Sequence, residues 1–239
     1  MIDLSNKVVV ITGHSQGIGK AIYEHFQAVG AKVFGLSKPQ YDLRDLEQIP
    51  IWLNDIYAQT GRIDVLVNNA GVNFIGNIEE TTIEDFEELL LVNLKVSFVT
   101  MKTVLPWMSS NQFGRVINVA SDQAMAAKRY GVAYAASKAG LVQLSRSCAI
   151  DYARQGVTVN VVSPGSTRTQ MLDDAIDQLK TRYPHEFGPD LFDQCSQSLP
   201  LGRYVMPDDI SGIVVFLSSS YASSITGSII PVDGGFTAT

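Results

Sequence analysis

Cysteine, histidine and surplus positive charge are all scarce in this 239-residue chain, and each shortage removes a class of protein. The two cysteines, Cys148 and Cys195, form neither a CxxC pair nor a Cys/His cluster with metal spacing, which excludes a disulfide framework. His14, His25 and His185 are scattered and read as surface or loop residues, not as metal ligands, so no metal is expected. With 18 Lys+Arg against 24 Asp+Glu the formal charge is -6, leaving no broad basic surface for a phosphate backbone, and nucleic acid is not an expected partner. No 18-residue apolar run occurs, and Met1 to Lys7 lack a basic stretch followed by a long apolar one. The expectation is a soluble, cytoplasmic protein with no membrane partner. Repeats, charge blocks and low-complexity segments are also missing, and 46% hydrophobic with 18% charged residues is an ordinary globular composition.

What is present is an alternation of short β-branched runs with longer segments of helical period, the pattern of βαβ units and a parallel sheet. The runs are Lys7 to Ile11, Lys32 to Leu36, Ile63 to Val67, Arg115 to Val119, Thr158 to Val162 and Ser228 to Val232. Each is nearly continuously apolar, as strands covered on both faces must be. Ile18, Ala21, Ile22 and Phe26 recur at three- and four-residue steps, predicting an amphipathic helix over Gly17 to Val29 that Gly30 stops. The expected fold is α/β: one Rossmann-type, doubly wound parallel sheet in three layers, spanning 1–239 as a single domain. One connection is anomalous. Only Ser37 to Gln40 precede a candidate short strand Gln40 to Leu43, too few residues for a parallel crossover. Either the third strand is displaced or shortened, or the link is a tight loop across the sheet edge.

Three segments carry chemistry. The first strand enters Thr12-Gly13-His14-Ser15-Gln16-Gly17-Ile18-Gly19 and then a helix. Such glycines let the backbone approach a pyrophosphate, whose charge is favoured by the free N–H groups of the helix start. Asn68-Asn69-Ala70-Gly71 follows the third run at the same carboxyl edge, where open α/β sheets bind ligands, although the same residues suit an ordinary loop. Ser121 follows the fourth run, and Tyr134-Ala-Ala-Ser-Lys138 begins the next helix, with positions 134 and 138 one turn apart on one face. An ammonium beside a phenol favours the phenolate, so the pair could exchange a proton with an alcohol oxygen.

Together with Asn93, with Pro164-Gly165 and Thr169, and with Asp233-Gly234-Gly235 near the end, these segments stand in the order and spacing of the short-chain dehydrogenase/reductase family, which the whole chain resembles. The resemblance implies an NAD(P)-dependent oxidoreductase interconverting a secondary alcohol and a ketone. It assigns Tyr134 as general acid or base, Ser121 as the hydrogen-bond partner of the substrate oxygen, Lys138 to lowering the Tyr134 pKa and holding the nicotinamide ribose, and Asn93 to anchoring a proton-relay water. The cofactor contacts it implies are Gly13, Ser15, Gly17, Ile18, Gly19, Ser37, Lys38, Asp42, Leu43, Asn69, Ala70, Gly71, Tyr134, Lys138, Pro164, Gly165, Thr167 and Thr169.

After the second strand Ser37-Lys38 stand where an acidic residue would repel a 2'-phosphate, so NADP(H) is the expected cofactor and NAD(H) the alternative. Gln16, in the glycine loop, supplies no cation to support that choice. An insertion at about 166–200, with Met171, Leu172, Ile176 and Leu179 at helical spacing, would cover a small-molecule substrate held by Ser121, Gln123 and Met171. Asp122, Lys128, Arg129 and Tyr130 make the mouth polar, which suits a sugar, polyol or cyclic diol. A 3-oxoacyl thioester reductase and a non-catalytic nicotinamide redox sensor are the competing readings. The segments Glu84 to Met108 and Tyr134 to Tyr152 carry apolar bands wider than one sheet-facing stripe. In the resembling family the corresponding helices pair across two-fold axes, so a homotetramer is expected, with Cys148 inert near a subunit contact.

Overall fold

The computed structural model describes residues 2–238. Six strands, β1 (Val8–Thr12), β2 (Lys32–Leu36), β3 (Val65–Asn68), β4 (Gly114–Val119), β5 (Val157–Pro164) and β6 (Ile229–Val232), form one parallel sheet in the order β2-β1-β3-β4-β5-β6. The register aligns Thr12 with Leu36 and with Asn68, and Asn68 with Asn118, so the polar strand ends share one edge. Period-two burial separates two cores. Val9, Ile11, Val65 and Val67 meet Ile22 and Phe26 of α1 (Gly17–Ala28) and Val214 of α8 (Pro207–Ser218). Val8, Val10 and Leu66 meet Leu53 of α2 (Gln48–Thr60), Val104 and Met108 of α4 (Val96–Ser110) and Ala149 of α5 (Val132–Tyr152). The chain leaves β1 in one direction and returns past it to β3, so the crevice at their carboxyl ends is the topological switch point.

Gln40 to Leu43 is not a strand. Residues 37–47 form a turn-rich loop in which Tyr41 N donates to Ser37 O at 3.0 Å, and α2 supplies the crossover from β2 to β3. The strand-like spacing of Tyr41 and Leu43 has a different cause. Leu43 is buried in the core and Tyr41 lies edge-on to Trp52 at 4.9 Å, so both residues anchor the loop. The sheet therefore ends at β2.

The long apolar helix is also interrupted. Its first part, α3 (Ile83–Leu90), starts at a reciprocal cap between Thr82 and Asp85, and a π turn over Leu91–Lys95 joins it to α4. By length and composition Ile83–Ser110 could cross a membrane, but half of its most apolar stretch is buried within the fold. Above the carboxyl edge, α6 (Gln170–Arg182) and α7 (Leu191–Gln197) build a small core of their own from Ile176, Leu191, Leu199 and Tyr204.

Candidate active site

The loop after β1 is stitched to the loop after β3. Thr12 Oγ1 accepts from Asn69 N (3.0 Å) and Ala70 N (3.1 Å), and Asn69 Nδ2 donates to Gly13 O (2.9 Å). A Cβ on Gly13, whose φ is +69°, would lie 2.8 Å from Ala70 Cα, and one on Gly19 would lie 2.1 Å from Gly13 O. Close backbone approach thus requires both glycines. Gln16 gives α1 no side-chain cap, and its first turn holds no acid. The helix start is therefore open to an anion, with Gly17, Ile18 and Gly19 lining a cleft, which fits a dinucleotide pyrophosphate.

The far wall of this cleft is the loop after β2. Ser37 Oγ lies 3.0 Å from His14 Nδ1, and burial holds the His14 pKa below its ordinary value. Lys38 pairs with Asp42 at 3.0 Å, while Arg44 reaches Asp42 at 3.6 Å and Glu88 at 2.5 Å. Leu43 lines the same wall, and so do Tyr41 and Arg44, which sequence reasoning missed. Their only signal was a position shortly after the second strand.

Tyr134 and Lys138 project from the first turns of α5 into the same cleft, together with Ser15, Asn69, Ala70 and Gly71. Lys138 is 3% exposed, its ammonium donates to Val119 O at 3.0 Å, and it sits 5.8 Å from the Tyr134 ring centroid. Burial pushes Lys138 down to about 8. Burial also pushes Tyr134 up to about 12; the nearby Ser121 hydroxyl pulls the other way, and the Asp122 charge adds to the rise. Desolvation of the phenol dominates, and the Lys138 ammonium is engaged with the β4 backbone.

Asn93 lies behind the cleft wall, in the π turn. Its side chain accepts from Val72 N (2.9 Å) and donates to Val72 O (3.0 Å) and Ser137 Oγ (3.0 Å). It clamps the loop after β3 to α5. A Cβ on Gly71 would lie 3.3 Å from both Asn93 Oδ1 and Lys138 Nζ, so these two groups flank one spot.

A second pocket adjoins the first, and Ile18, Ala120, Tyr134, Thr169 and Met171 line both. Ser121, Gln123, Lys128 and Arg129 form its polar side, and Leu172, Ile176 and Leu179 of α6 its apolar side. Pro164, Gly165 and Thr167, expected at the cofactor, line this second pocket, whereas Thr169 reaches both. Asp122, 2% exposed, accepts from Ser121 Oγ at 3.0 Å and pairs with Lys128 at 2.5 Å. Sequence reasoning placed both charges at the mouth without pairing them.

Comparison with known proteins agrees with this geometry. A family model described as enoyl-(acyl carrier protein) reductase matches residues 37–237. The 3-oxoacyl-[acyl-carrier-protein] reductase FabG of Rickettsia bellii is 33% identical over 249 residues, covering 98% of each chain. The crystal structure of levodione reductase superposes with a TM-score of 0.91 at 29% identity over 99% of both chains. Aldohexose dehydrogenase of Thermoplasma acidophilum gives 0.89 at 31% identity, over 98% of this chain and 94% of that one. ElxO with NADP bound gives 0.88 at 28%, over 98% and 99%.

Proposed function

The chain belongs to the short-chain dehydrogenase/reductase family, and we propose that it interconverts a secondary alcohol and a ketone with NADP(H), on a sugar, polyol or cyclic diol. The observation that carries this reading is Tyr134, which lines both the cleft at the glycine loop and the neighbouring pocket. The nicotinamide, when bound, supplies or accepts the hydride. Tyr134 gives its phenolic proton to the carbonyl oxygen in reduction and takes it back in oxidation. Lys138 holds the ribose, Ser121 contacts the substrate oxygen, and Asn93 keeps the wall behind them in register. Residues 166–200 act as a cover that excludes water, with Gln123 and Met171 touching the substrate.

Lys38 and Arg44 on the adenosine wall, and the NADP bound in ElxO, support the phosphorylated cofactor. Aldohexose dehydrogenase and the polar wall of the second pocket support a hydroxylated substrate. The FabG relative favours a second reading, a 3-oxoacyl thioester reductase. Progress curves with NADPH across sugars, diols, hydroxy acids and acyl thioesters separate the two readings. NADPH is expected to exceed NADH by at least about tenfold in kcat/KM, some 1.4 kcal/mol of transition-state binding. An NADH preference overturns the cofactor assignment, and inactivity on every hydroxylated compound overturns the substrate class.

Assembly follows from the apolar surface. Phe98 of α4 is 50% exposed and Ile150 of α5 is 80% exposed, on the two segments whose apolar bands exceed one stripe. We propose a homotetramer that covers them, in a cytoplasmic protein. Cys148 is half-buried on α5, and burial raises its thiol pKa, in keeping with an inert role. Light scattering at micromolar concentration is expected to return the mass of four chains, and the mass of one would exclude the assembly.

A further inference from the structure

Beside the catalytic set lies a charged pair that the reaction as described does not use. Asp122, next to Ser121 in the chain, is buried, and its two carboxylate oxygens have separate partners: Oδ1 accepts the Ser121 hydroxyl proton at 3.0 Å, and Oδ2 meets Lys128 Nζ at 2.5 Å. Lys128 is itself held, with its ammonium 4.4 Å from the centroid of the Phe236 ring.

We propose that Asp122, gripped by Lys128, is a positioning residue that holds the Ser121 proton and leaves the Ser121 oxygen as a hydrogen-bond acceptor facing the pocket it lines with Tyr134. The inference rests on the alcohol–ketone reading only for its kinetic consequence. A serine hydroxyl has one proton and two lone pairs. The proton is committed to a charged acceptor, a stronger bond than one to a neutral oxygen. One lone pair takes Gln123 N at 3.2 Å, and the other is left for an oxygen bound in the pocket. A substrate alcohol can donate into this arrangement. A ketone oxygen, which can only accept, receives a proton from Ser121 only if Ser121 gives up Asp122. The pair therefore biases Ser121 toward the alcohol. The charged and titratable groups that line the same pocket as Asp122 are Lys128 and Arg129 on its own loop, Tyr134 on α5 and Cys195 on α7.

The deciding experiment is NMR titration of full-length protein with tyrosine 13C-labelled at Cζ, the Tyr134 signal being identified by its loss in Tyr134→Phe. Asp122→Asn preserves shape and is expected to lower the Tyr134 midpoint by about one pH unit, because the freed Ser121 proton can turn to the phenolate. In a Ser121→Ala background the same substitution should shift the midpoint by less than half as much. No shift in the first case, or equal shifts in both backgrounds, overturns the proposal, since a purely Coulombic or structural role needs no bridging hydroxyl. Kinetics with acetoin and meso-2,3-butanediol give the second readout: Asp122→Asn should lower KM for the ketone and raise it for the diol. Absence of turnover with an intact NMR response would count against the proposed reaction and leave the positioning role standing, so the two failures are distinguishable.

Discussion

Replacing Tyr134 by Phe is expected to reduce kcat by about 10^3-fold, the middle to upper range of what one positioned acid–base group contributes. Cofactor affinity should stay within about twofold, because the change removes one oxygen from a ring that otherwise still separates the two pockets. Stopped-flow turnover and quenching of protein fluorescence by NADPH measure the two quantities separately. A variant that retains turnover would show that another group moves the proton. Unchanged turnover would also remove the reason Tyr134 stands where both pockets meet.

Lys138→Met should act in opposite directions on activity and stability. The ammonium is buried with a backbone carbonyl as its hydrogen-bond acceptor, and among the described residues no carboxylate lies within ion-pair distance of it. Burial moves it from 10.5 to about 8, a penalty on the charged form of roughly 3 kcal/mol. Below pH 8 both the folded and the unfolded state carry the proton, so the folded state bears the whole penalty. Between pH 8 and 10.5 the unfolded chain binds more protons than the folded one, and stability rises with pH. Methionine removes the penalty but leaves Val119 O without its donor, at a cost of about 1 kcal/mol. The variant should therefore be more stable than the parent by roughly 2 kcal/mol at pH 7 in denaturant melts, with the advantage gone by about pH 10. Its kcat/KM should fall by about 10^2-fold as the ribose contact is lost. A variant less stable at both pH values would show that the ammonium is paired more strongly than the structure indicates.

Much of this architecture was legible in the residues. All six apolar runs became strands, offset by at most two residues at their starts, because parallel strands covered on both faces must be continuously apolar. The helix predicted from Gly17 is α1. What escaped the sequence depended on contacts between distant segments. Tyr41 and Leu43 have the spacing of a strand, but anchoring on Trp52 and the core decides their conformation. Nothing in Leu91-Val92-Asn93 announces a π turn, since its cause is the fit of Asn93 to Val72 and Ser137. The Tyr134 and Lys138 pair was visible, but its electrostatics were not. Spacing places an ammonium near a phenol, and only the packing shows that desolvation outweighs that proximity.

The π turn has a consequence for chain length. Such a turn amounts to one residue more than a regular α-helix would hold, an insertion that the helix has not expelled. Deleting one residue there would heal the ladder and strengthen the helix locally. It would also swing one flank by about 100° relative to the other. Either Leu89 or Met108, each fully buried on its own side of the turn, would then leave its place. Both flanks are already committed to packing, so the surplus residue has nowhere to go, and a locally weaker helix persists as the condition for bringing Asn93 to Val72. Single-residue deletions should be tolerated far less here than in the exposed loops, although among the described residues it is the one helical site where a deletion would improve the hydrogen bonding.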